Sequence, residues 1–409
     1  MFDINLNVMI LSFLFSILIY LILCKLEQKG YLKNISDVYP NAKFDVYDVT
    51  ELNFIQGEKL GNCGMIASMA SLARNREVLE KVVPVNQSFN EKPSEFAFNL
   101  YKRGKPHRVV VNESLFLRKF SCLSFLFGMK KLYYSQSHNN NFVGPLLEKA
   151  LIKLHFDKDY DLSYGVSVST VLSSFTNNFF EEFSKADLSR LGYKLKSVIA
   201  HGRTNKCLMV VSFNKNTFSL VSDHAYTIVD CKKDKVYLYN PHRKYVTVPI
   251  KCLNKNLQRL FISYTGNKVF KMANVNTVKE FSDCWTEVSA DKRVSSVGYH
   301  LTVEEDDTEV LINLIKSQYA DVFRKIYLSN GETFKWEQGN DIFIAKSAST
   351  FRKKLKRGNY QMKFVQCFKT SKDAHGKSIN AKYLDCSKMD KNNFCFRIAA
   401  SKSCEVKKC

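Results

Sequence analysis

Residues 61–73 read GNCGMIASMASLA, and the place of the cysteine in this stretch organises everything after it. Met65, Ile66, Met69, Leu72 and Ala73 fall at i, i+1, i+4, i+7 and i+8, the spacing of one helix face. Cys63 therefore sits in the first turn of that helix. Unpaired backbone N–H groups and the positive end of the helix dipole favour a thiolate there. A free cysteine has a pKa of about 8.5 and is mostly thiol at neutral pH, so this placement suits a nucleophile.

The partners of such a thiol lie far along the chain. In SDHAYTIVDC (222–231), strand alternation puts His224, Tyr226 and Ile228 on one face. Sixteen residues on from His224, the run KVYLYN (235–240) ends at Asn240. An imidazole beside a cysteine takes its proton, and a third group must accept from the other ring N–H to orient that imidazole. Asn240 has the carbonyl oxygen to do so. Each residue alone has an ordinary reading, a buried structural cysteine or a core histidine. The order Cys63, His224, Asn240, with the last two on neighbouring strands, points instead to nucleophilic chemistry.

The 409 residues suit two domains after a short amino-terminal segment. Residues 25–50 read as a polar connector. From 51 to about 200 the pattern is mostly helical, with GPLLEKALIKLHF (144–156) repeating the helical spacing behind Gly144-Pro145. Cys207–Phe213, Ala225–Asp230, Val236–Tyr239 and Tyr245–Ile250 are short β-rich runs separated by turn residues. Helices followed by antiparallel strands predict an α+β domain over 51–265, with a cleft between its halves. Residues 266–295 read as a linker. From 296 to 409, runs such as VGYHLTV, VLINLI, NYQMKFVQCF and NFCFRIAA predict an all-β sandwich.

Val8 to Cys24 is an apolar run long enough to span a bilayer. Its flanks lack the positive n-region and small-residue cleavage site of a secretory signal. Lys25, Lys29 and Lys33 follow it and nothing positive precedes it, so residues 1–24 read as a single-pass anchor with the rest of the chain in the cytoplasm. The net charge is +22. The chain has no zinc-finger spacing, no RNP-like aromatic strand and no continuous basic helix, which argues against nucleic acid as the partner. Twelve cysteines in this length make no dense disulfide scaffold, and the absence of any CxxC pair argues against zinc. Five of them, Cys367, Cys386, Cys395, Cys404 and Cys409, crowd the tail.

The segments LGNCGMIASMASLA, VLEKVVPVNQSFN, VVVNESL, PLLEKALIKLHFDKDYDLSYG, DHAYTIVD and LYNPH, in this order and at these spacings, make residues 51–265 resemble the calpain family of papain-like cysteine proteases. The resemblance implies a papain-like core and protein substrates. It implies Cys63 as nucleophile, His224 as general base and then acid, and Asn240 as the orienting residue. It also implies a glutamine shortly before the cysteine as an oxyanion donor, and Gln56 in IQGEKLGNC resembles it. The family's tryptophans after the cysteine and after the Asn-Pro pair are Gly64 and His242 here, and its acidic residue before the cysteine is Asn62. A catalytically inactive, calpain-like adaptor is the competing reading.

The resemblance also implies calcium as an activator, with no other cofactor. Asp157-Lys-Asp-Tyr-Asp161 mimics the first ligands of an EF-hand loop, but Leu162 stands at its glycine and Val168 at its bidentate glutamate. Glu304-Glu305-Asp306-Asp307 with Glu309 resembles the acidic loop of calpain β-sandwiches. The run Arg352 to Arg357 is a dense basic stretch with two readings, a patch facing anionic lipid or a solvated edge strand.

Overall fold

The computed structural model describes residues 12–17, 31–57, 61–90, 94–102, 104–117, 131–156, 167–216, 220–266, 268–270, 272, 277–283, 287–288, 294–315, 322–330, 343–344, 350–368 and 394–408. Most of the apolar run from Val8 to Cys24, and the stretch Asp157–Asp161, lie outside them. Residues 12–17, inside that run, are helical and exposed. Among the described residues, no helix is long and apolar enough to cross a membrane.

The first lobe is built around the helix Cys63–Leu72. Its spacing predicted one buried face, but every residue from Gly64 to Leu72 is buried. A helix enclosed on all sides must satisfy its polar side chains internally. Ser68 Oγ donates to the Gly64 carbonyl at 2.7 Å, and Ser71 Oγ accepts the Met209 N–H at 2.8 Å. Around it pack the helices Arg76–Val82, Val143–Phe156 and Val168–Thr176. Two strand pairs complete the lobe, β1 (Leu32–Asn34) with β4 (Ser114–Phe116) and β2 (Glu95–Lys102) with β3 (Lys105–Asn112). The β2–β3 hairpin lies within the span read as mostly helical. EFAFNLYK alternates with the period of a strand, and that signal outweighs the helical pattern on either side.

The second lobe is one antiparallel sheet in the order β5 (Phe180–Phe183), β10 (Leu257–Ser263), β6 (Leu208–Phe213), β7 (Ala225–Lys232), β8 (Lys235–Asn240), β9 (Lys244–Pro249). The helices Lys185–Arg190, Leu195–Thr204 and Ile250–Asn256 accompany it. β7 opens directly after His224 and β8 closes on Asn240. Their antiparallel register, Thr227 opposite Tyr239, brings both residues to the same end of the sheet. The Cys63 helix lies against this sheet, where Thr227 Oγ1 donates to the Ala67 carbonyl at 2.7 Å.

The carboxy-terminal strands form two antiparallel sheets. One has the order β11 (Thr277–Asp283), β19 (Phe394–Ala400), β14 (Thr308–Ile315), β17 (Thr350–Leu355). The other runs β12 (Glu287–Val288), β13 (Val294–Val303), β18 (Gly358–Phe368), β15 (Val322–Asn330), β16 (Phe343–Ile344), and β20 (Cys404–Lys408) joins it at β13. Residues of both sheets share one core, in which Tyr299 of β13 meets Phe396 of β19 edge-on at 4.7 Å. Strands begin at Thr277, inside the stretch 266–295 read as a linker. β11 pairs with β19 along its whole length, and its partner lies more than a hundred residues away, beyond the reach of local pattern reading.

These sheets are not tethered loosely. Leu311 and Ala399 belong to the same apolar core as the second lobe. Arg352 of β17 reaches Glu181 of β5 with bonds of 3.0 and 2.9 Å, and both side chains are almost fully buried. Tyr264 Oη donates to the same carboxylate, and Arg352 also reaches Glu309 at 2.8 Å and the Phe270 carbonyl. Asn313 clips the backbone of Phe180, accepting its N–H at 2.8 Å and donating to its carbonyl at 2.7 Å. Removing one member of such a buried pair strands the other charge and costs about 3–5 kcal/mol. Arg352→Met is therefore expected to lower the unfolding free energy from urea titration by a matching amount, and Glu181→Gln added to it to recover most of the loss. A single-variant shift below about 1 kcal/mol, the scale of an exposed pair, would show that the junction does not depend on this pair.

Candidate active site

Asn62 is the N-cap of the Cys63 helix, and its carbonyl accepts the Met65 and Ile66 N–H groups at 2.9 and 3.1 Å. Its side chain makes no capping bond. Nδ2 donates instead to Glu148 Oε1, on the helix Val143–Phe156, at 2.6 Å. An asparagine N-cap ordinarily covers the N–H of the second or third helical residue. Here the Ala225 N–H of the second lobe, with those of Gly64 and Cys63, lies near enough to the thiol to pull its pKa down. Ala225 follows His224 in the chain, so this contact sets the thiol beside the imidazole-bearing turn.

His224 is 8% exposed, and its Nε2 lies 2.9 Å from Asn240 Oδ1. The His242 backbone N–H donates to the same Oδ1 at 2.9 Å. A backbone N–H can only donate, so the Asn240 atom is the carbonyl oxygen and His224 Nε2 must carry the hydrogen. In the neutral ring this leaves Nδ1 as the basic nitrogen. The imidazole is framed by two rings: His242 stacks on it at 5.0 Å with 6° between planes, and Tyr226 meets it edge-on at 4.9 Å. Tyr226 is itself held by the Val221 N–H donating to its Oη at 2.9 Å.

Gln56 is 7% exposed, and its backbone N–H donates to the Pro241 carbonyl at 2.9 Å. The structure thus brings the segment before the cysteine onto the turn that follows Asn240. All four residues singled out in the sequence, Cys63, His224, Asn240 and Gln56, lie in one connected set of segments.

Placement at the helix N-terminus predicted a favoured thiolate. Burial works the other way, pushing the Cys63 thiol up although three backbone N–H groups pull it down. Burial also lowers His224; the Asn240 bond raises it and His242 lowers it further. Both directions favour the uncharged thiol–imidazole pair.

Sequence reasoning passed over Glu148, which is 1% exposed. Its other oxygen, Oε2, accepts the Ser135 N–H at 2.8 Å. Burial pushes the carboxyl up to about 7, against the pull of the Ser135 and Asn62 donors. A signal was present: Glu148 interrupts the apolar face Leu146, Leu147, Ala150, Leu151.

Residues 25–251 match the model of the calpain family cysteine proteases, more than half of the chain, and the protein belongs to that family. Among characterised proteins it is 29% identical to human calpain-14 over 236 residues, 53% of this chain and 31% of that protein. It is 29% identical to the rat calpain-1 catalytic subunit over 211 residues, 49% of this chain and 28% of that protein. The pig calpain-1 catalytic subunit is 30% identical over 209 residues, again 49% and 28%. The match therefore spans less than a third of the length of these relatives.

The acidic loop that resembled a calcium site is occupied by cations of the chain itself. Asp307 pairs with Lys354 at 3.0 Å and Glu305 with Lys402 at 3.4 Å, while Asp306 accepts the Arg357 backbone N–H at 2.9 Å. Glu309 is likewise bound to Arg352, the first residue of the basic run 352–357. Among the described residues, no group of three or more His, Cys, Asp or Glu side chains is arranged to hold a metal ion.

The raised pKa of Glu148 has a consequence for stability. The unfolded chain releases this proton near pH 4.5, the folded one near 7. The contribution is thus complete below the unfolded value and is lost as pH rises through the folded one, roughly 3 kcal/mol in all. Thermal midpoints of the native protein should fall more steeply from pH 5 to 8 than those of Glu148→Gln. Parallel curves would contradict this.

Proposed function

We propose that the chain is a cysteine endopeptidase with Cys63 as nucleophile, His224 as general base and acid, Asn240 as the orienting residue and Gln56 as an oxyanion donor. The reading has a papain-like core followed by a β-sandwich. The observation that carries it is the His224 Nε2–H···Asn240 Oδ1 bond at 2.9 Å, which leaves Nδ1 to take a proton. As Nδ1 takes the Cys63 proton, Sγ attacks the scissile carbonyl, and the oxyanion meets the Cys63 N–H and the Gln56 amide. The imidazolium then protonates the leaving amine and a thioester remains. Water, deprotonated by the same ring, attacks the thioester and releases the acid, and the proton returns to Sγ.

A neutral resting pair accommodates this sequence, because His224 acts as a base during attack. The second reading, a silent adaptor, is favoured by Gly64 and His242, which stand where the family has tryptophans. An epoxide thiol inhibitor separates the two. It should label the native protein on Cys63 and fail to label Cys63→Ala, while Gln56→Ala should lower kcat by about 10²–10³. No labelling of the native protein, with or without calcium, would favour the adaptor. Calcium enters this proposal as an activator and not as a step of the reaction, so excess chelator should lower cleavage; an unchanged rate would remove calcium from the account.

We further propose that residues 1–24 anchor the chain, with the protease facing the cytoplasm. Support comes from the length of the apolar run and from Lys25, Lys29 and Lys33 behind it. Residues 1–30 fused to a soluble reporter should resist carbonate extraction, and a processed, soluble product would refute the anchor.

A further inference from the structure

The buried carboxyl of Glu148 touches none of the groups that the proposed reaction uses, yet it is bonded to a neighbour of each arm that would hold the oxyanion. One oxygen accepts Asn62 Nδ2–H at 2.6 Å, and Asn62 directly precedes Cys63. The other accepts the Ser135 N–H at 2.8 Å. The next residue, Gln136, donates its backbone N–H to the Ile55 carbonyl at 3.0 Å in an antiparallel bridge, and Ile55 directly precedes Gln56. Gln136 is itself fixed by side-chain bonds to the Leu132 and Tyr134 carbonyls at 2.6 and 2.9 Å.

We infer that Glu148 is a positioning residue that fixes the Cys63 and Gln56 arms relative to one another through Asn62 and Ser135. This rests on the protease reading above. Three features of the site support it. Asn62 Oδ1 has no hydrogen-bond partner among the described residues, so Glu148 alone holds this amide. Drawn away to Glu148, the Asn62 side chain leaves the first N–H groups of the helix without a side-chain cap. The start of the Glu148 helix is pressed onto the same arm: a Cβ at Gly144 would collide with the Asn53 carbonyl, three residues before Gln56.

The substitution that tests this is Glu148→Met, which keeps the length of the side chain and removes both acceptors. It should lower kcat on a peptide substrate at least about tenfold with KM nearly unchanged, the signature of geometry realised in the transition state. Glu148→Gln should recover most of kcat, because the introduced amide oxygen still accepts from Ser135 and the Asn62 amide can turn to accept from the introduced NH₂ group. A role confined to stability would not produce that split or that rescue. Folded Glu148→Met with unchanged kcat, or Glu148→Gln as slow as Glu148→Met, would overturn the inference. If Glu148→Met does not fold, Asn62→Ala decides, lowered kcat supporting the inference and unchanged kcat opposing it. A native protein without peptidase activity would sink the protease reading separately. The rate of Cys63 alkylation by iodoacetamide would then still report on the arm before the cysteine, with a changed rate in Glu148→Met supporting the inference and an unchanged one opposing it.

Discussion

The hydrogen bond from Thr227 Oγ1 to the Ala67 carbonyl, 2.7 Å long and fully buried, docks the Cys63 helix on the central strand of the second lobe. Most else at the site follows from that docking. The helix has solvent on no side beyond its first residue, so it cannot rotate without exposing apolar surface or stranding Ser71 and Met209. β7 begins two residues before Thr227, which brings Ala225 near the thiol, with His224 next to it in the chain. β8 must run back antiparallel, and it ends at Asn240 where the imidazole needs an acceptor. Ala225 and Tyr239 of the sheet belong to the apolar core of the first lobe, so the two lobes meet through packing.

The second constraint lies at the far edge of the sheet. β5 is its edge strand, and an unpaired edge invites association. Here Asn313 holds the Phe180 backbone and Arg352 the Glu181 carboxylate. Arg397 reaches the Asn177 and Asn178 carbonyls, just past the helix Val168–Thr176. That helix packs on the Cys63 helix, so the carboxy-terminal sheets brace the site indirectly. Two cations of the basic run, Arg352 and Lys354, are committed to this junction and to the acidic loop.

Much of this was legible in the sequence because the chemistry-bearing residues sit at ends of elements whose periodicity is strong. Cys63 opens a helical repeat, His224 precedes an alternating run, and Asn240 closes another before Pro241. The enclosure of the helix was not legible: Ser68 and Ser71 look like a polar face, and only the carbonyl and N–H that they meet make them buried. Thr277–Asp283 was missed because its partner strand is remote in sequence. Glu148 was missed because a glutamate on a helix is ordinarily solvated, and its two donors come from loops that no spacing connects to it. The protonation preference of Cys63 was misjudged for a related reason. The helix terminus is visible in the sequence, whereas the desolvation that outweighs it is a property of the assembled lobes.

The central claim is that Cys63 attacks a carbonyl with His224 as its base. It is tested most directly by trapping the acyl-enzyme: the protein is mixed with a peptide active ester, quenched in acid and digested, and the fragments are weighed. The account predicts an acyl adduct on the fragment containing Cys63 that is released by neutral hydroxylamine and forms far more slowly in His224→Ala. Acylation that falls on other cysteines, or that proceeds at the same rate without His224, would contradict it.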